Sequence, residues 1–445
     1  MKKSLKTTRR NFIKTAAIPV IAAPWIIPSR VWSNPPSDRI TMGFVGVGKQ
    51  SHLLISKFLP VTQVLAVCDV DTKRRKDAQQ TVNKFYADNK EKGVADCREY
   101  NDYRELLQRN DIDAVCIATP DHWHAAPVLL ALKKGKDVYC EKPLTHNIQE
   151  AIDIMRAVDK NGRVLQTGSH QRSMKEFRIA AELVRNGIIG KIDRVECRFG
   201  APPEPCTLGE EMKEPGLDWN MWLGSAPLRP YNSILSPRGV HDFYPTWRVY
   251  REYGTGSVGD WGAHHLDIAQ WGLGMDGSGP IEIKFINEEA TLVYANGTPV
   301  IHKGVKKYGF GAHFYGSDGE VMVNRNRFKV IYKGKTVAEF AREEGIGNSC
   351  AEEVDKAEEA LLKGVRIKLH ESKSHTDDFL ASVANRSKPV ANEQVGGRTA
   401  ICCHLINQLY FNNAAMKWDP AKLRFIEGTG NPAWLTSDNR DWKKA

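Results

Sequence analysis

The sequence lacks the patterns that mark several large classes of protein. Its 445 residues include nine cysteines but no Cys-x-x-Cys pair, so nothing indicates a zinc motif or a dithiol redox motif. No run beyond the N-terminal region is apolar enough to cross a bilayer, and there is no repeat or low-complexity tract. A hydrophobic content of 41% and a charged content of 26% are typical of a soluble globular protein. The length favours two large domains.

The excess of positive charge is confined to one end of the chain. The net charge is +10, but seven basic residues and no acidic residue lie in residues 1–33, which leaves only +3 for the remainder. No zinc-finger or RNA-binding signature accompanies that remainder, so a nucleic-acid partner is not expected.

The N-terminal segment is interpreted as an export signal. Arg9 and Arg10, followed by Phe12 and Lys14, precede a short apolar run that prolines interrupt, and this pattern resembles a twin-arginine signal. The run is short for a membrane anchor, so no stable membrane insertion is expected once the signal is removed. We therefore predict a signal peptide over residues 1–33 and a periplasmic or otherwise exported protein. Since twin-arginine substrates fold in a reducing cytoplasm, most cysteines are predicted to be free thiols.

From residue 39 onward, apolar strand patterns alternate with helix patterns. A buried strand over residues 40–45 is followed by Gly46-Val-Gly48, a helix, and a second strand that ends in Asp69. This is the layout of a dinucleotide-binding βαβ unit. Gly46 would permit the tight turn, Gly48 would let backbone N–H groups approach a pyrophosphate, and Asp69 would bind the adenosine ribose hydroxyls. Ser51 replaces the third glycine of the usual fingerprint.

Polar clusters follow the next two strands of this predicted sheet. Residues 114–119 end in a Pro-Asp-His-Trp-His segment, and residues 137–140 end in Glu141-Lys142-Pro143. Ligands of doubly wound sheets sit beyond the carboxyl ends of the strands. Lys142 is therefore a candidate for proton exchange with a substrate hydroxyl, and the alternative is an exposed lysine at a strand end.

A glycine-rich turn and a helix organise the second half of the sequence. In Gly256–Asp267, the spacing of Asp260, His264 and Asp267 at i, i+4 and i+7 predicts one helix face. A carboxylate one turn before an imidazole suits a proton-transfer pair. The alternative interpretation makes Asp260 a helix cap and His264 a surface residue.

The ordered motifs GVGKQS, CDVD, ATPDHWH, YCEKPLT and GDWGAHHLD resemble those of the Gfo/Idh/MocA oxidoreductases, named for glucose–fructose oxidoreductase and inositol dehydrogenase. The resemblance implies a catalytic group of Lys142, Asp260 and His264, with His264 as the acid/base toward the hydroxyl of the oxidised carbon. It also implies an NAD cofactor. NADP is the alternative, because three basic residues, 73–75, follow Asp69 closely. The cofactor contacts expected from the strand ends and the resemblance are Gly46, Gly48, Gln50, Asp69, Thr119, Pro120, His122, His124, Glu141 and Lys142.

The predicted fold class is α/β, with an N-terminal Rossmann domain built on a doubly wound parallel sheet. The predicted domains are the Rossmann domain over residues 34–168 and an α+β domain over residues 169–445 with a large open, mostly antiparallel sheet. Family members use that sheet to assemble, so the resemblance implies a homo-oligomer. Aromatic and charged residues in the loop 231–254, together with the second histidine of the HH pair, suggest substrate contacts: Trp247, Arg248, Tyr253 and His265. The alternative is a solvated loop whose aromatic side chains pack into the domain, with His265 facing the core.

Three functions are consistent with the sequence. The first is an NAD(P)-dependent oxidoreductase that acts on a secondary hydroxyl of a sugar or glycoside and keeps its cofactor bound. The second is an NAD-dependent glycosidase, which oxidises the sugar transiently, eliminates the aglycone, adds water and returns the hydride. This route needs a further base, for which His265 and Tyr253 are the candidates. The third is a non-enzymatic sugar-binding protein, against which the intact Lys142, Asp260 and His264 argue.

Overall fold

A computed structural model of the protein describes residues 39–89, 96–305 and 309–440. The predicted export signal over residues 1–33 lies outside the described residues. The described residues form one compact unit that contains two sheets with their helices.

The first sheet has six strands, all parallel, in the order β3-β2-β1-β4-β5-β6. Four-residue apolar stretches such as Ala114–Ile117 are buried throughout, as expected for strands that helices cover on both faces. The order reverses between β1 and β4, so a ligand crevice opens beyond their carboxyl ends. The strands are β1 Thr41–Val45, β2 Gln63–Cys68, β3 Arg98–Tyr100, β4 Ala114–Ile117, β5 Asp137–Cys140 and β6 Leu165–Thr167.

The helices of this domain begin where the sequence supplies a cap. The Asp71 side chain accepts from two backbone N–H groups at the start of the second helix, and Asn147 caps the fifth. Such caps satisfy N–H groups that have no partner within the helix. The helices are α1 Lys49–Phe58, α2 Thr72–Asp88, α3 Tyr103–Gln108, α4 Ala125–Lys133 and α5 Ile148–Asn161.

The second sheet has ten strands in the order β14-β13-β12-β11-β7-β10-β9-β8-β15-β16. Its pairs are antiparallel except β7 with β10. The predicted fold class is therefore confirmed. The strands are β7 Ile192–Arg198, β8 Glu282–Ile286, β9 Glu289–Val293, β10 Pro299–Lys303, β11 Gly311–Gly316, β12 Gly319–Asn324, β13 Arg327–Tyr332, β14 Lys335–Ala341, β15 Met416–Asp419 and β16 Arg424–Phe425.

The C-terminal helices return to the first domain. Phe379 packs edge-to-face against Phe58 and Tyr139 of the first core, with ring centroids 6.2 and 5.8 Å apart. The later helices are α6 Lys175–Arg185, α7 Trp219–Leu223, α8 Gly256–Asp260, α9 Gly262–Leu273, α10 Cys350–Leu361, α11 His375–Asn385 and α12 Glu393–Asn412. Short 3₁₀ turns form at Asp121–Trp123, His170–Ser173, Thr246–Val249, Arg342–Glu344 and Pro432–Leu435.

All nine cysteines carry free thiols in the structure, and seven of them are buried. Over the described ranges, no helix has both the length and the apolar character that a membrane crossing requires.

Candidate active site

The glycine turn after β1 has the geometry that a dinucleotide site requires. Gly46 has φ of +78°, and a Cβ there would lie 2.8 Å from the Thr119 side chain and 2.9 Å from the Ala118 carbonyl oxygen. A Cβ on Gly48 would meet no protein atom within 4 Å, so the space in front of it is open. No side chain caps the N-terminus of α1. Its first N–H groups therefore remain for an anion such as a pyrophosphate.

A cleft opens at this turn. Its lining is mostly apolar side chains with a few convergent polar groups, as in typical cofactor sites. One wall comes from the second domain, because residues 235–237 and 244–248 face the cleft. Six of the ten predicted cofactor residues line it, namely Gly46, Gly48, Gln50, Asp69, Thr119 and Pro120.

The charges around Asp69 favour NAD over NADP. The Asp69 carboxylate accepts from the backbone N–H groups of Val47 and Asp71, each at 2.9 Å, so it fixes the glycine turn from the end of β2. Each of the basic residues 73–75 is committed to protein acceptors: Lys73 to Glu214, Arg74 to carbonyls of the loop over the cleft, and Arg75 to Asn101 and Glu99. A 2′-phosphate would have to displace one of these contacts.

Two of the predicted cofactor contacts are histidines whose rings lie against backbone carbonyl oxygens. The ring nitrogens of His122 lie 3.2 Å from the Tyr253 carbonyl oxygen and 3.0 Å from that of Trp222, so His122 joins the two domains. His124 lies 2.7 Å from the Pro143 carbonyl oxygen and 3.0 Å from that of Thr119. Neither ring lines the cleft. Their burial lowers the pKa of both imidazoles, that of His122 to about 3.

The residues predicted to be catalytic meet where the two domains join. Lys142, just past β5, donates to the Asp260 carboxylate and to its backbone oxygen at 3.1 Å. Arg248 Nε lies 4.0 Å from the same carboxylate. Although burial acts to raise it, the charge of Lys142 holds the pKa of Asp260 below its ordinary 3.8. Asp260 is therefore an anion that orients the lysine of the other domain.

The predicted single helix is in fact two helices. Trp261 separates α8 from α9, and Thr255, before α8, donates its hydroxyl to the buried Asp121 carboxylate at 2.8 Å. This bond fixes the start of α8 to the first domain. Asp267 does not share a face with the other two predicted residues. Both oxygens of its carboxylate accept hydrogen bonds from Arg172 in the interior, at 2.8–3.0 Å.

His264 lies one turn into α9, with a partner that the sequence did not indicate. Arg325 Nη2 lies 3.1 Å from His264 Nε2. A guanidinium can only donate, so Nε2 is the accepting nitrogen and the proton of the neutral ring is on Nδ1. Among the described residues, Nδ1 has no hydrogen-bond partner. Burial, reinforced by the charges of Lys142 and Arg325, holds the pKa of His264 well below 6.5.

The four residues predicted to contact substrate separate into two pairs. Trp247 and Arg248 line the cleft, with the guanidinium 4.3 Å from the indole centroid. Tyr253 and His265 are fully buried, so neither side chain reaches the cleft in this structure. Tyr253 packs against Trp222 and His122 in an aromatic cluster, and His265 stacks on Trp261 in the core.

His170, which the sequence interpretation passed over, lies beside Glu141 at the ends of β5 and β6. Its Nε2 is 3.1 Å from the Tyr139 hydroxyl and 3.5 Å from Glu141 Oε1, and a quarter of its side chain is exposed. Glu141 also accepts from Gln50 at 3.0 Å. Glu141 therefore orients groups around the cleft. No motif marks His170; only the strand order brings it beside Glu141.

Comparison with known families agrees with this architecture. Residues 40–169 match the oxidoreductase family with an NAD-binding Rossmann fold, Gfo/Idh/MocA, and residues 206–327 match the C-terminal α/β domain of the same family. The chain belongs to the Gfo/Idh/MocA oxidoreductases. The predicted family and the predicted NAD-binding Rossmann domain are confirmed.

Curated relatives match over part of their length. The uncharacterized oxidoreductase YrbE of Bacillus subtilis is 27% identical over 211 residues, 46% of this chain and 52% of its own. A glycosyl hydrolase family 109 protein of Shewanella pealeana is 25% identical over 44% of this chain and 46% of its own. A 2,7-anhydro-N-acetylneuraminate hydratase of Mediterraneibacter gnavus is 33% identical over 28% of this chain and 31% of its own. The chain thus spans about half the length of the first two relatives.

Solved structures share the fold over most of the chain. Levoglucosan dehydrogenase in complex with NADH and L-sorbose superposes with a TM-score of 0.55 at 16% identity, over 85% of this chain and 98% of that one. An aldose–aldose oxidoreductase from Caulobacter crescentus, complexed with glycerol, has a TM-score of 0.55 at 14% identity, over 85% and 99%. At these identities the likeness defines the fold.

Proposed function

We propose that this protein is an NAD-dependent oxidoreductase that acts on a secondary hydroxyl of a sugar or glycoside. The observation that carries the proposal is the meeting of Lys142 from the first domain with Asp260 from the second, beside His264 and next to the glycine-turn cleft. The named relatives and structural neighbours that act on sugars support the substrate class.

The residues of the junction divide the proton transfer between them. Bound NAD supplies the acceptor for the hydride. His264, neutral because its pKa is lowered, takes the hydroxyl proton, and Lys142, held by Asp260, donates toward the same oxygen as the hydroxyl becomes a carbonyl. Arg248 adds positive charge beside Asp260 and keeps that carboxylate ionised.

The cleft has features that would retain a cofactor. Arg74 donates to Ser236, Pro237 and Gly239 of the second domain, and the Tyr244 hydroxyl donates to Gln50 Oε1 at 3.0 Å. These bonds hold the loop 235–248 over the opening. Retention suits the export that the twin-arginine pattern predicts, since a cofactor bound before export would have to stay. Assembly into a homo-oligomer through the open sheet is part of the same proposal.

The direct experiment is to denature the purified protein and quantify released NAD and NADP. The intact protein is then mixed with a panel of sugars and methyl glycosides while the absorbance of reduced nicotinamide is followed. We expect stoichiometric NAD and a sugar-dependent absorbance change without added cofactor. A protein that carries no dinucleotide, binds none and reduces none with any sugar would contradict the proposal.

A second candidate is a glycosidase that works by transient oxidation, and His170 is the observation that favours it. This route needs a base for the carbon acid next to the oxidised carbon, and Tyr253 and His265 are fully buried. His170 is partly exposed, and its Nε2 lies 3.5 Å from Glu141 Oε1. The base takes the C–H proton as the aglycone leaves, water adds to the double bond, and the returning hydride completes a net hydrolysis.

Nitrophenyl glycosides offered without added cofactor separate the two candidates. Release of nitrophenol that is abolished in His170→Asn, while reduction of the bound cofactor persists, would favour the glycosidase. Accumulation of a keto-sugar with reduced cofactor and no nitrophenol would favour the oxidoreductase.

A further inference from the structure

Arg325 is an exposed residue beside His264 that has no anionic partner among the described residues. It occupies the two-residue turn between β12 and β13, where Asn326 has φ of +63° and Asn324 pairs with Arg327 across the hairpin. This turn brings the guanidinium within 3.1 Å of His264 Nε2 and 5.3 Å of the Trp261 ring centroid. Within the described part of the chain, no carboxylate lies within 4.0 Å of it.

The carboxylate of this junction is already shared by two other cations. The Asp260 carboxylate already has Lys142 in contact and Arg248 at 4.0 Å, so two cations share one anion. Arg325 is left with a neutral imidazole, although a charged donor gains most from a charged acceptor. Burial accordingly lowers the pKa of the Arg325 guanidinium. An anion that entered here would meet the positive charges of Lys142, Arg248 and Arg325, offset in part by Asp260 and by the more distant Glu141 and Glu176.

The bond between Arg325 and His264 also opposes the proposed chemistry. While Nε2 accepts from the guanidinium, its lone pair is occupied and does not take a hydroxyl proton. His264 therefore becomes available as a base through Nε2 when Arg325 turns to a better acceptor. A carboxylate is such an acceptor, because its two oxygens match the two N–H groups of a guanidinium edge.

We propose that Arg325 binds a carboxylate on the substrate, so that the substrate class is acidic sugars, uronic acids and their glycosides, rather than neutral sugars. The inference rests on the proposed function. Binding of the acidic sugar moves Arg325 off His264 and frees the base at the moment the substrate is in place. A neutral sugar would leave Arg325 on the imidazole.

The test compares sugar pairs that differ only at C6. Binding of D-glucuronate and D-glucose, and of D-galacturonate and D-galactose, is measured by calorimetry on the full chain with its bound cofactor. We expect at least one uronate to bind the unaltered protein roughly tenfold or more tightly than its neutral partner, as for a hydrogen bond between charged groups. Arg325→Gln should reduce that ratio to near one while the neutral sugar binds as before.

Arg327→Gln is the matched control, because Arg327 stands across the same turn but pairs with Glu344 at 2.8 Å. It should keep the preference of the unaltered protein. Uronates that bind no tighter than hexoses, binding of neither class, or a preference that survives Arg325→Gln would each overturn the inference. The dinucleotide content of the same samples is the separate measure of the proposed function. Dinucleotide present without a uronate preference rejects the inference alone.

Discussion

Two aspartates seven residues apart, each paired with a cation from another part of the chain, have opposite environments. The side chains of Asp260 and Lys142 are 26% and 18% exposed. Those of Asp267 and Arg172 are 1% and 2% exposed. Lys142 holds the pKa of Asp260 down against burial, whereas burial raises the pKa of Asp267 despite Arg172. The second pair is nevertheless ionised, since Arg172 donates to both carboxylate oxygens and its own pKa is raised by Asp267 and Asp276.

The more exposed pair is suited to catalysis, and the buried pair is suited to holding the fold together. A pair that water can reach can exchange protons and admit a substrate, and its loss leaves no buried charge stranded. A pair sealed in the interior fixes α9 against the turn after β6, and removal of one partner leaves an uncompensated charge. The first pair should therefore govern activity and the second should govern stability.

Lys142→Met should have the largest effect. Loss of the amine beside Asp260 removes a proton donor from the reacting oxygen, so the rate of sugar-dependent reduction of the bound cofactor should fall by about 10²- to 10⁴-fold. The free energy of unfolding, measured with denaturant, should fall by less than in Arg172→Met, because this pair is the more exposed of the two. Lys134→Met, at the exposed end of α4, is the control and should leave both quantities unchanged. Unfolding of Lys142→Met would show that this pair is also architectural.

Arg172→Met should reverse that pattern. It strands the Asp267 carboxylate in the core, and breaking a buried ion pair costs about 3–5 kcal/mol of unfolding free energy. Protein that remains folded should keep its cofactor and its rate per folded molecule. Equilibrium denaturation measures the loss of stability, and single-turnover kinetics measures the rate per folded molecule. A folded Arg172→Met with full stability and little activity would make Asp267 part of the chemistry after all.

In the first domain, the two glycines of the turn should differ in the same way, one affecting stability and both affecting dinucleotide binding. Gly46→Ala places a Cβ at positive φ and against the backbone of residues 118–119, so we expect about 1–2 kcal/mol of lost stability and less bound dinucleotide. Gly48→Ala meets no protein atom and should lose dinucleotide alone. Dinucleotide content and denaturation curves of both variants give the answer. Full dinucleotide in Gly48→Ala would place the pyrophosphate elsewhere.

The pH dependence should distinguish the groups of the junction. Because the pKa of Asp260 is lowered from 3.8, it stays ionised at any higher pH, and its contribution to stability is lost only as the pH falls below that value. His264 acts as a neutral base and its pKa is lowered from 6.5, so the rate of reduction should stay level down to pH 6.5 and fall only below it. Arg325→Gln removes a positive charge and should move this fall to higher pH. A decline that begins above pH 7 would argue against His264 as the base.

Arg74→Met should have the smallest effect. It removes the bonds to the loop over the cleft, so the bound dinucleotide should dissociate up to about tenfold faster, as for loss of a charged hydrogen bond. Arg75→Met is the control, because Arg75 contacts residues of its own domain. Release is followed by exchange against labelled NAD. Equal release rates for the two variants would show that the loop does not retain the dinucleotide.

The sequence predicted the first domain well because its signals are local. Buried apolar runs, the glycine turn and the acid at the end of β2 all lie within 30 residues of one another, and the structure agrees with each. The meeting of Lys142 with Asp260 came from the family resemblance, since spacing alone does not show that two segments 118 residues apart touch.

What the sequence did not predict depends on contacts between distant segments. The i, i+4, i+7 spacing predicted one unbroken helix. The structure has a break at Trp261, and Asp267 pairs with Arg172. The strand ends and the family resemblance suggested a cofactor contact for His122, but its ring contacts carbonyl oxygens of the second domain. Tyr253 and His265 are buried within the second domain. Arg325 had no motif at all, because only the pairing of β12 with β13 brings it to His264.

The most direct test of the junction is single-turnover reduction of bound cofactor in His264→Asn, with dinucleotide content measured on the same sample. The account predicts a normal amount of NAD and a rate at least about 10²-fold lower than that of the unaltered protein. A rate within threefold of the unaltered protein, at equal NAD content, would contradict it.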